Sequence, residues 1–172
     1  GAGRIEPEAD VRFMRLALEQ ARMGMEAGEA AVGAVVVMGD EVVAASHNAT
    51  SATSDPTAHA EVLALRAAAR AFGDWRLAGA TLFVTLEPCP MCMGAVLQTH
   101  LGRVVYGARN LRDGALGGVT DIPAAPWKRV PEVRGGVEAA AAGRLLSEAF
   151  AAVRDAAAVG GNADDPRQDG KK

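Results

Sequence analysis

The chain has 172 residues, of which 49% are apolar and 23% are charged, and this balance is typical of a globular protein. Its formal net charge of -3 excludes nucleic-acid binding over the whole surface, so any such contact needs a local basic patch. The two cysteines lie in one C-x-x-C, which excludes a disulfide framework. Such a pair is typical of metal binding or catalysis in a reducing cytosol.

The sequence favours a cytoplasmic protein without a membrane anchor. No apolar run approaches the roughly 18 residues that a membrane span needs. The first residues, Gly1, Ala2 and Gly3, show no signal-peptide pattern and resemble the remnant of a cleaved tag.

Hydrophobic periodicity predicts alternating strands and helices. The predicted strands are 31–38, 41–46, 80–86, 103–107 and 132–137. The predicted helices are 7–27, 58–72, 90–101 and 139–158. Residues 48–55 read as a polar loop, and residues 110–127 read as irregular. This order predicts an α/β fold, a three-layer α/β/α sandwich with a mixed sheet of about five strands. We expect one domain over residues 4–158 and a disordered tail over 159–172.

Two short motifs, H-A-E at 59–61 and P-C-P-M-C at 88–92, carry the candidate chemistry. His59, Cys89 and Cys92 offer three ligands of the kinds that zinc prefers, and catalytic zinc keeps its fourth position open for water. Glu61 is then left as a proton carrier. Each motif lies where a predicted helix begins, so two helix N-termini are expected to converge and stabilise thiolates.

Two plainer interpretations of the cysteine pair remain open at this point. A lone C-x-x-C is also typical of a redox pair or of half a structural zinc knot, and a structural site needs a fourth ligand. His100 lies eight residues beyond Cys92 on the same predicted helix, which favours a surface position, whereas His47 stays open as a ligand. Three ligands beside a carboxylate favour an open, catalytic site.

Four segments resemble a known family. They are A-V-G-A-V-V-V at 31–37, D-P-T-A-H-A-E at 55–61, T-L-E-P-C-P-M-C-M-G-A at 85–95 and G-R-V-V-Y-G-A-R-N at 102–110. H-A-E with P-C-x-x-C is similar to the signature of zinc-dependent deaminases. The finer match is to bacterial tRNA-specific adenosine deaminases, which convert the wobble adenosine of an arginine tRNA to inosine. The likeness covers most of residues 13–154.

The resemblance implies a cytidine deaminase-like fold, one zinc ion per subunit and a homodimer. It assigns His59, Cys89 and Cys92 to zinc, and it assigns Glu61 the transfer of protons from water to the purine and then to the departing ammonia. It matches Asn48 to a family asparagine that hydrogen-bonds the purine. Without that match, Asn48 reads as a residue that caps the end of a strand.

The resemblance also implies tRNA, through its anticodon loop, as the partner. Residues 103–134 carry a local excess of three positive charges that could receive phosphates, and a solvated surface is an equally open interpretation. Arg109 and Asn110 fall in the matched segment as candidate RNA contacts. Asn110 departs from the aspartate that is common in bacterial relatives, which puts strictness for RNA over DNA in question. Scarce aromatic residues favour one flipped base over a stacking platform.

The sequence is therefore compatible with three functions. The first is hydrolytic deamination of the wobble adenosine of a tRNA anticodon by a zinc-activated water. The second is deamination of a free base or nucleoside, such as guanine, cytosine or a related heterocycle. The third is an inactive, zinc-stabilised RNA-binding subunit, against which the retained carboxylate of Glu61 argues.

Overall fold

A five-stranded mixed sheet forms the centre of the protein, and its strands follow the order β2-β1-β3-β4-β5. The computed structural model describes residues 7–159. The strands are β1 (Gly33–Met38), β2 (Glu41–His47), β3 (Ala80–Leu86), β4 (Arg103–Ala108) and β5 (Glu132–Arg134). The helices are α1 (Pro7–Glu26), α2 (Thr50–Thr53), α3 (Ala60–Phe72), α4 (Pro90–Gln98) and α5 (Ala139–Val159), and a 3-10 turn spans Ile122–Ala124.

Strand pairing follows from the connections between the strands. A two-residue turn joins β1 to β2, which pair antiparallel, and β1 also pairs antiparallel with β3. Helix α4 connects β3 to β4, and this crossover makes the two strands parallel, as are β4 and β5. The predicted five-stranded mixed sheet is confirmed.

Helices cover both faces of the sheet and produce the predicted three layers. On one face, α1 packs Phe13 and Met14 against Val35 and Phe83, and the two phenylalanine rings lie 5.3 Å apart between centroids. Helix α5 contacts α1 on that face. On the other face, α3 and α4 bury an apolar cluster against β1, β3 and β4, and its members include Ala64, Leu65, Met93, Val96, Val36 and Leu82.

The largest differences from the sequence-based predictions concern α2, α4 and β5. The predicted loop 48–55 contains the single helical turn α2. Helix α4 ends at Gln98 rather than near residue 101, because the Thr99 hydroxyl bonds the Val96 carbonyl and His100 adopts a positive φ of 55°. Strand β5 has three residues rather than six, and all three are exposed.

The terminal predictions fall largely outside the described residues. Residues 4–6 of the predicted domain and 160–172 of the predicted tail lie there, so the domain bounds stay a prediction. Across residues 7–159, every helix is too short or too polar to cross a bilayer.

Candidate metal centre and active-site pocket

Three side chains predicted as zinc ligands lie together in the structure. The Nδ1 atom of His59 is 3.6 Å from Cys89 Sγ and 3.5 Å from Cys92 Sγ. All three ligand atoms lie within 4.8 Å of one another. Tetrahedral zinc, with Zn–S of about 2.3 Å and Zn–N of about 2.0 Å, holds sulfur and nitrogen ligands about 3.5 Å apart. The spacing fits zinc and identifies Nδ1 as the ligating nitrogen.

Local chain geometry explains why these side chains meet. His59 occupies the N-cap position of α3, and Cys89 occupies the N-cap position of α4, both with extended backbones. Pro90 follows Cys89 as the first helical residue, where its missing N–H costs no hydrogen bond. Cys92 lies in the first turn of the same helix. The predicted convergence of two helix N-termini is confirmed, and their dipoles favour thiolates between them.

The two thiols differ in acidity before any metal binds. A hydrogen bond from Cys92, assisted by the Cys92 backbone N–H and by His59, lowers the pKa of Cys89 to about 5. The hydrogen bond with Cys89, together with burial, raises the pKa of Cys92. One thiolate therefore forms readily, while a second beside it needs a cation to balance its charge. A pair of thiols and an imidazole is the donor set that zinc favours over hard cations.

Glu61 lies beside the ligands as the second residue of α3, and only 4% of it is exposed. It falls outside the set of three mutually close ligand atoms. Burial raises the pKa of the Glu61 carboxyl, while its own backbone N–H and the Cys92 thiol partly oppose that shift. A buried carboxyl of this kind can hold a proton, which is the property that a proton carrier needs.

A pocket of about 180 Å³ opens onto these groups. Its lining includes His59, Glu61 and Cys89 from the metal side, and Asn48 and Asn110 from flanking loops. The structure therefore brings both predicted asparagines to the same pocket as the candidate zinc ligands. What they bind there stays a prediction.

Asn110 is held by the loop in which it lies. Its Oδ1 accepts hydrogen bonds from the backbone N–H groups of Arg112 and Asp113, at 3.1 and 2.9 Å. The backbone N–H of Asn110 donates to the carboxylate of Glu87 at 3.2 Å. Part of the Asn110 side chain thus fixes a turn, a use that the sequence did not indicate.

Glu87 organises the rest of this loop although it is only 1% exposed. Its carboxylate accepts hydrogen bonds from the backbone N–H groups of Leu116 and Gly118, at 2.9 and 2.8 Å. Gly118 packs so closely that a Cβ there would overlap the Asn110 carbonyl. Glu87 belongs to a matched segment, but sequence reasoning assigned it no role.

Arg109, the third predicted substrate contact, points partly inward. Its guanidinium donates to Glu87 at 3.2 Å and to the Tyr106 hydroxyl at 2.8 Å. Nearly half of its side chain, 47%, remains exposed. The hypothesis that Arg109 contacts RNA stays a prediction, and its established contacts are internal.

Part of the positive charge of residues 103–134 is neutralised by an acidic residue inside the fold. Arg103 and Arg134 both pair with the buried Asp10, at 2.7 and 2.6 Å. Their charges therefore stabilise the sheet edge. Arg112, Lys128 and Arg129 remain exposed.

Sequence reasoning also missed Glu29, which lies just before β1 and is 7% exposed. Its carboxylate accepts hydrogen bonds from the Asn48 amide and from the backbone N–H groups of Ser51 and Ala52. No local pattern marks it, because its partners lie about twenty residues away. Of the two other histidines, His47 bonds the Asn48 carbonyl and His100 stacks edge-on with Trp75, so neither joins the candidate ligands.

Comparison with known proteins identifies relatives over most of the chain. The model of the MafB19-like deaminase family matches residues 8–125. A tRNA-specific adenosine deaminase of Bacillus subtilis is 39% identical over 146 residues, which are 84% of this chain and 91% of that protein.

Two solved structures share the fold. One comes from a study of A-to-I editing by tRNA:A34 deaminases at the wobble position; it has a TM-score of 0.77 and 39% identity, and the match covers 78% of this chain and 99% of that one. The other, a guanine deaminase of Nitrosomonas europaea, has a TM-score of 0.74 and 25% identity, with 86% of each chain covered.

A Deinococcus deserti protein named tRNA(Ile)-lysidine synthase is 49% identical over 139 residues, but these are 80% of this chain and 26% of that protein. The chain thus spans about a quarter of that relative. The likeness to the Bacillus subtilis protein, in contrast, runs over nearly the whole of both chains. With the His-Cys-Cys zinc site in place, the chain belongs to the family of tRNA-specific adenosine deaminases, within the cytidine deaminase superfamily.

Proposed function

We propose that this protein deaminates adenosine to inosine at the wobble position of a tRNA anticodon. The observation that carries the proposal is one pocket lined by two of the three candidate zinc ligands, His59 and Cys89, by the buried carboxyl of Glu61 and by two asparagines. Relatives with this activity in their names match most of the chain.

The proposed reaction is a hydrolysis in which water oxygen bonds to C6 of adenine and the C6–N6 bond breaks. Zinc, when bound by His59, Cys89 and Cys92, supplies a Lewis acid that makes a water molecule acidic enough to attack near neutral pH. Glu61 takes the proton of that water and delivers it to the ring nitrogen N1. Glu61 then takes the remaining proton of the hydroxyl added at C6 and transfers it to the amino group, which leaves as ammonia while the C6 carbonyl of inosine forms. Its burial suits this role because it keeps the carboxyl able to hold a proton.

The pocket walls would hold the base and exclude bulk water. Asn48 and Asn110 flank the space above the ligands, so we propose that they contact the target nucleoside. The pocket volume of about 180 Å³ suits one flipped base rather than a stacked run of bases. Arg109, with its exposed half, is proposed to contact RNA phosphate at the rim of the pocket.

A panel of substrates tests the proposal. Zinc-loaded protein is incubated with an arginine-tRNA anticodon stem-loop, and separately with free adenosine, guanine and cytosine. We expect inosine at the wobble position and no turnover of the free compounds. A matched stem-loop, with adenosine moved to the neighbouring anticodon position, should stay unmodified.

The panel separates the other two candidate functions. Turnover of guanine or cytosine without inosine in the stem-loop would replace the proposal with a free-base deaminase, a function that the likeness to the guanine deaminase favours. Binding of the stem-loop without turnover of any substrate would identify an inactive RNA-binding subunit.

We further propose a homodimer. The outer side of α4 supports this, since Met91 is 38% exposed and Gly94 faces open space. Apolar and small residues at the surface suit a contact between subunits. Sedimentation equilibrium should give twice the mass of the chain, and a single-chain mass at micromolar concentration would contradict the dimer.

A cytoplasmic location is proposed as well. The proposed substrate is tRNA, and two free cysteines persist as metal ligands in a reducing compartment. Cell fractionation should place the protein with cytoplasmic markers, and recovery from an oxidising compartment would contradict this.

A further inference from the structure

The buried carboxylate of Glu29 has no part in the reaction proposed above, yet it contacts Asn48, which lines the pocket. Its Oε2 atom accepts hydrogen bonds from Asn48 Nδ2 and from the Ser51 backbone N–H, both at 3.2 Å. Its Oε1 atom accepts one from the Ala52 backbone N–H at 2.7 Å. These bonds, led by the one from Ala52, lower the pKa of Glu29, so it is an ionised acceptor near neutral pH.

The contacts of Glu29 fix the orientation of the Asn48 side-chain amide. One Asn48 N–H donates to Glu29, and the other donates to the Thr50 hydroxyl at 3.1 Å. If the amide turned over, its carbonyl oxygen would face the Glu29 carboxylate, an acceptor that has no proton to donate. Both donors of Asn48 are therefore committed to the protein. Oδ1 is the one polar side-chain atom left for a ligand.

We propose that Glu29 is a positioning residue that makes Asn48 a hydrogen-bond acceptor in the pocket, and so selects nucleosides that present an N–H or O–H donor at that point. The proposal rests on the proposed deaminase function, because it assumes that Asn48 faces the substrate. It adds to that function the polarity of the contact and the residue that sets it.

A purely structural role for Glu29 makes different predictions. Glu29 also accepts the N–H groups of the first turn of α2, a helical turn whose own N-cap residue, Ala49, supplies no side-chain hydrogen bond. If capping were its whole role, its replacement would change stability and would leave the amide of Asn48 unaffected.

The first test needs no substrate. In nuclear magnetic resonance spectra of labelled protein, we expect the two side-chain amide protons of Asn48 to be slowly exchanging and distinct in shift. Glu29→Gln should move both resonances, because a glutamine amide allows Asn48 to adopt either orientation. Amide protons of Asn48 that exchange at the solvent rate, or that ignore Glu29→Gln, would overturn the proposal.

The second test is kinetic. Glu29→Gln should raise KM about tenfold. It should change kcat little if the donor is the ribose hydroxyl, whose contact is equal in the ground and transition states, and it should lower kcat as well if the donor is the amino group that leaves. Asp74→Asn is the matched control, because Asp74 also accepts a backbone N–H but lies in an exposed turn away from the pocket. We expect wild-type kinetics from the control. Wild-type KM in Glu29→Gln would contradict the proposal.

Exchanging the carboxylate and the amide between positions 29 and 48 tests directly whether residue 48 accepts a hydrogen bond from the substrate. Asn48→Asp alone should raise KM strongly, since it places two carboxylates against each other. Combined with Glu29→Gln, it should restore KM to within about threefold of wild type, because the glutamine amide can donate to the aspartate and leave one oxygen free to accept. If Asn48 instead donates to the substrate, the double variant stays as weak as the single one.

Two donors on the nucleoside meet this description, the exocyclic amino group of the base and the ribose 2′-hydroxyl. A stem-loop with deoxyribose at the target position separates them. Equal KM for both stem-loops in the wild type, together with a raised KM for both in Asn48→Ala, assigns the donor to the base. A rise in KM that disappears in Asn48→Ala assigns it to the ribose, and either result keeps Asn48 as the acceptor.

The proposed function and this inference fail in different ways. If the wild-type protein deaminates none of the substrates tested, the proposed function is lost, while the resonance experiment still decides whether Glu29 orients Asn48. If the stem-loop is deaminated but the exchange of groups gives no rescue, the function stands and the role of Glu29 does not.

Discussion

Two buried carboxylates at different places in the fold, Glu61 and Asp10, have opposite surroundings. Asp10 is fully buried near the start of α1, and burial alone would raise its pKa. Hydrogen bonds and charge from Arg103 and Arg134 outweigh burial, and the pKa of Asp10 is lowered. Glu61 is buried among two cysteines and a histidine, and its pKa is raised.

Asp10 is thus a carboxylate that stabilises the fold, whereas Glu61 is a carboxylate that is free to carry a proton. Asp10 ties α1 to β4 and β5 through two arginines, so it is ionised near neutral pH. Glu61 has no arginine or lysine partner among the described residues, and its backbone N–H, the Cys92 thiol and His59 do not overcome the effect of burial on its pKa. Burial alone does not distinguish the two carboxylates; their partners do.

The largest expected effect is on turnover and belongs to Glu61. Glu61→Gln should lower kcat by about a thousandfold, because a glutamine cannot transfer protons. Zinc content, measured by plasma mass spectrometry, should stay at one ion per chain. The free energy of unfolding should equal or exceed that of the wild type, since a neutral amide is easier to bury than a carboxylate. Loss of zinc together with activity would mean that Glu61 is a ligand.

Neutralising the carboxylate of Asp10 should instead lower the free energy of unfolding and leave turnover unchanged. Asp10→Asn leaves Arg103 and Arg134 uncompensated, and their side chains are 21% and 43% exposed. Breaking a buried pair costs several kcal/mol, and this partial exposure reduces the loss of unfolding free energy to about 2 kcal/mol. Urea denaturation measures it. At temperatures where the variant is folded, its kcat should match that of the wild type. A large drop in kcat would contradict the purely structural role assigned to Asp10.

The smallest expected effect is the pH dependence of the difference in unfolding free energy between the wild type and Asp10→Asn. Because the pKa of Asp10 is lower in the folded than in the unfolded protein, its stabilising contribution is present above the unfolded pKa of 3.8 and is lost as the pH falls through the folded value. The gap in unfolding free energy between wild type and Asp10→Asn should be constant near neutrality and should narrow below about pH 4. Other carboxylates and the zinc site affect both proteins alike. A gap that widens in acid would reverse the sign assigned to Asp10.

The metal half of the site could be predicted from sequence, because its signal is local. His59 and Glu61 are two residues apart, as part of one motif at a helix start, and Cys89 and Cys92 form the other. The sheet and its layers were predictable for a similar reason, since each strand and each long helix carries its own apolar period.

The contacts that support the pocket wall could not be predicted, because they join residues far apart in the sequence. Glu29 and Glu87 accept hydrogen bonds from backbone N–H groups about twenty to thirty residues away, and no local pattern encodes such a pairing. The turn α2 was missed for the same reason. Its sequence, Thr-Ser-Ala-Thr, reads as a loop, and it is helical because the distant Glu29 accepts its first free N–H groups.

The most direct test of the proposed zinc-dependent hydrolysis follows the oxygen atom. The zinc-loaded protein is incubated with the arginine-tRNA stem-loop in water labelled with heavy oxygen, and the digested RNA is analysed by mass spectrometry. We expect inosine at the wobble position alone, with one heavy oxygen atom in its base. Inosine that lacks the label, or labelled product from free bases and none from the RNA, would contradict the proposed hydrolysis.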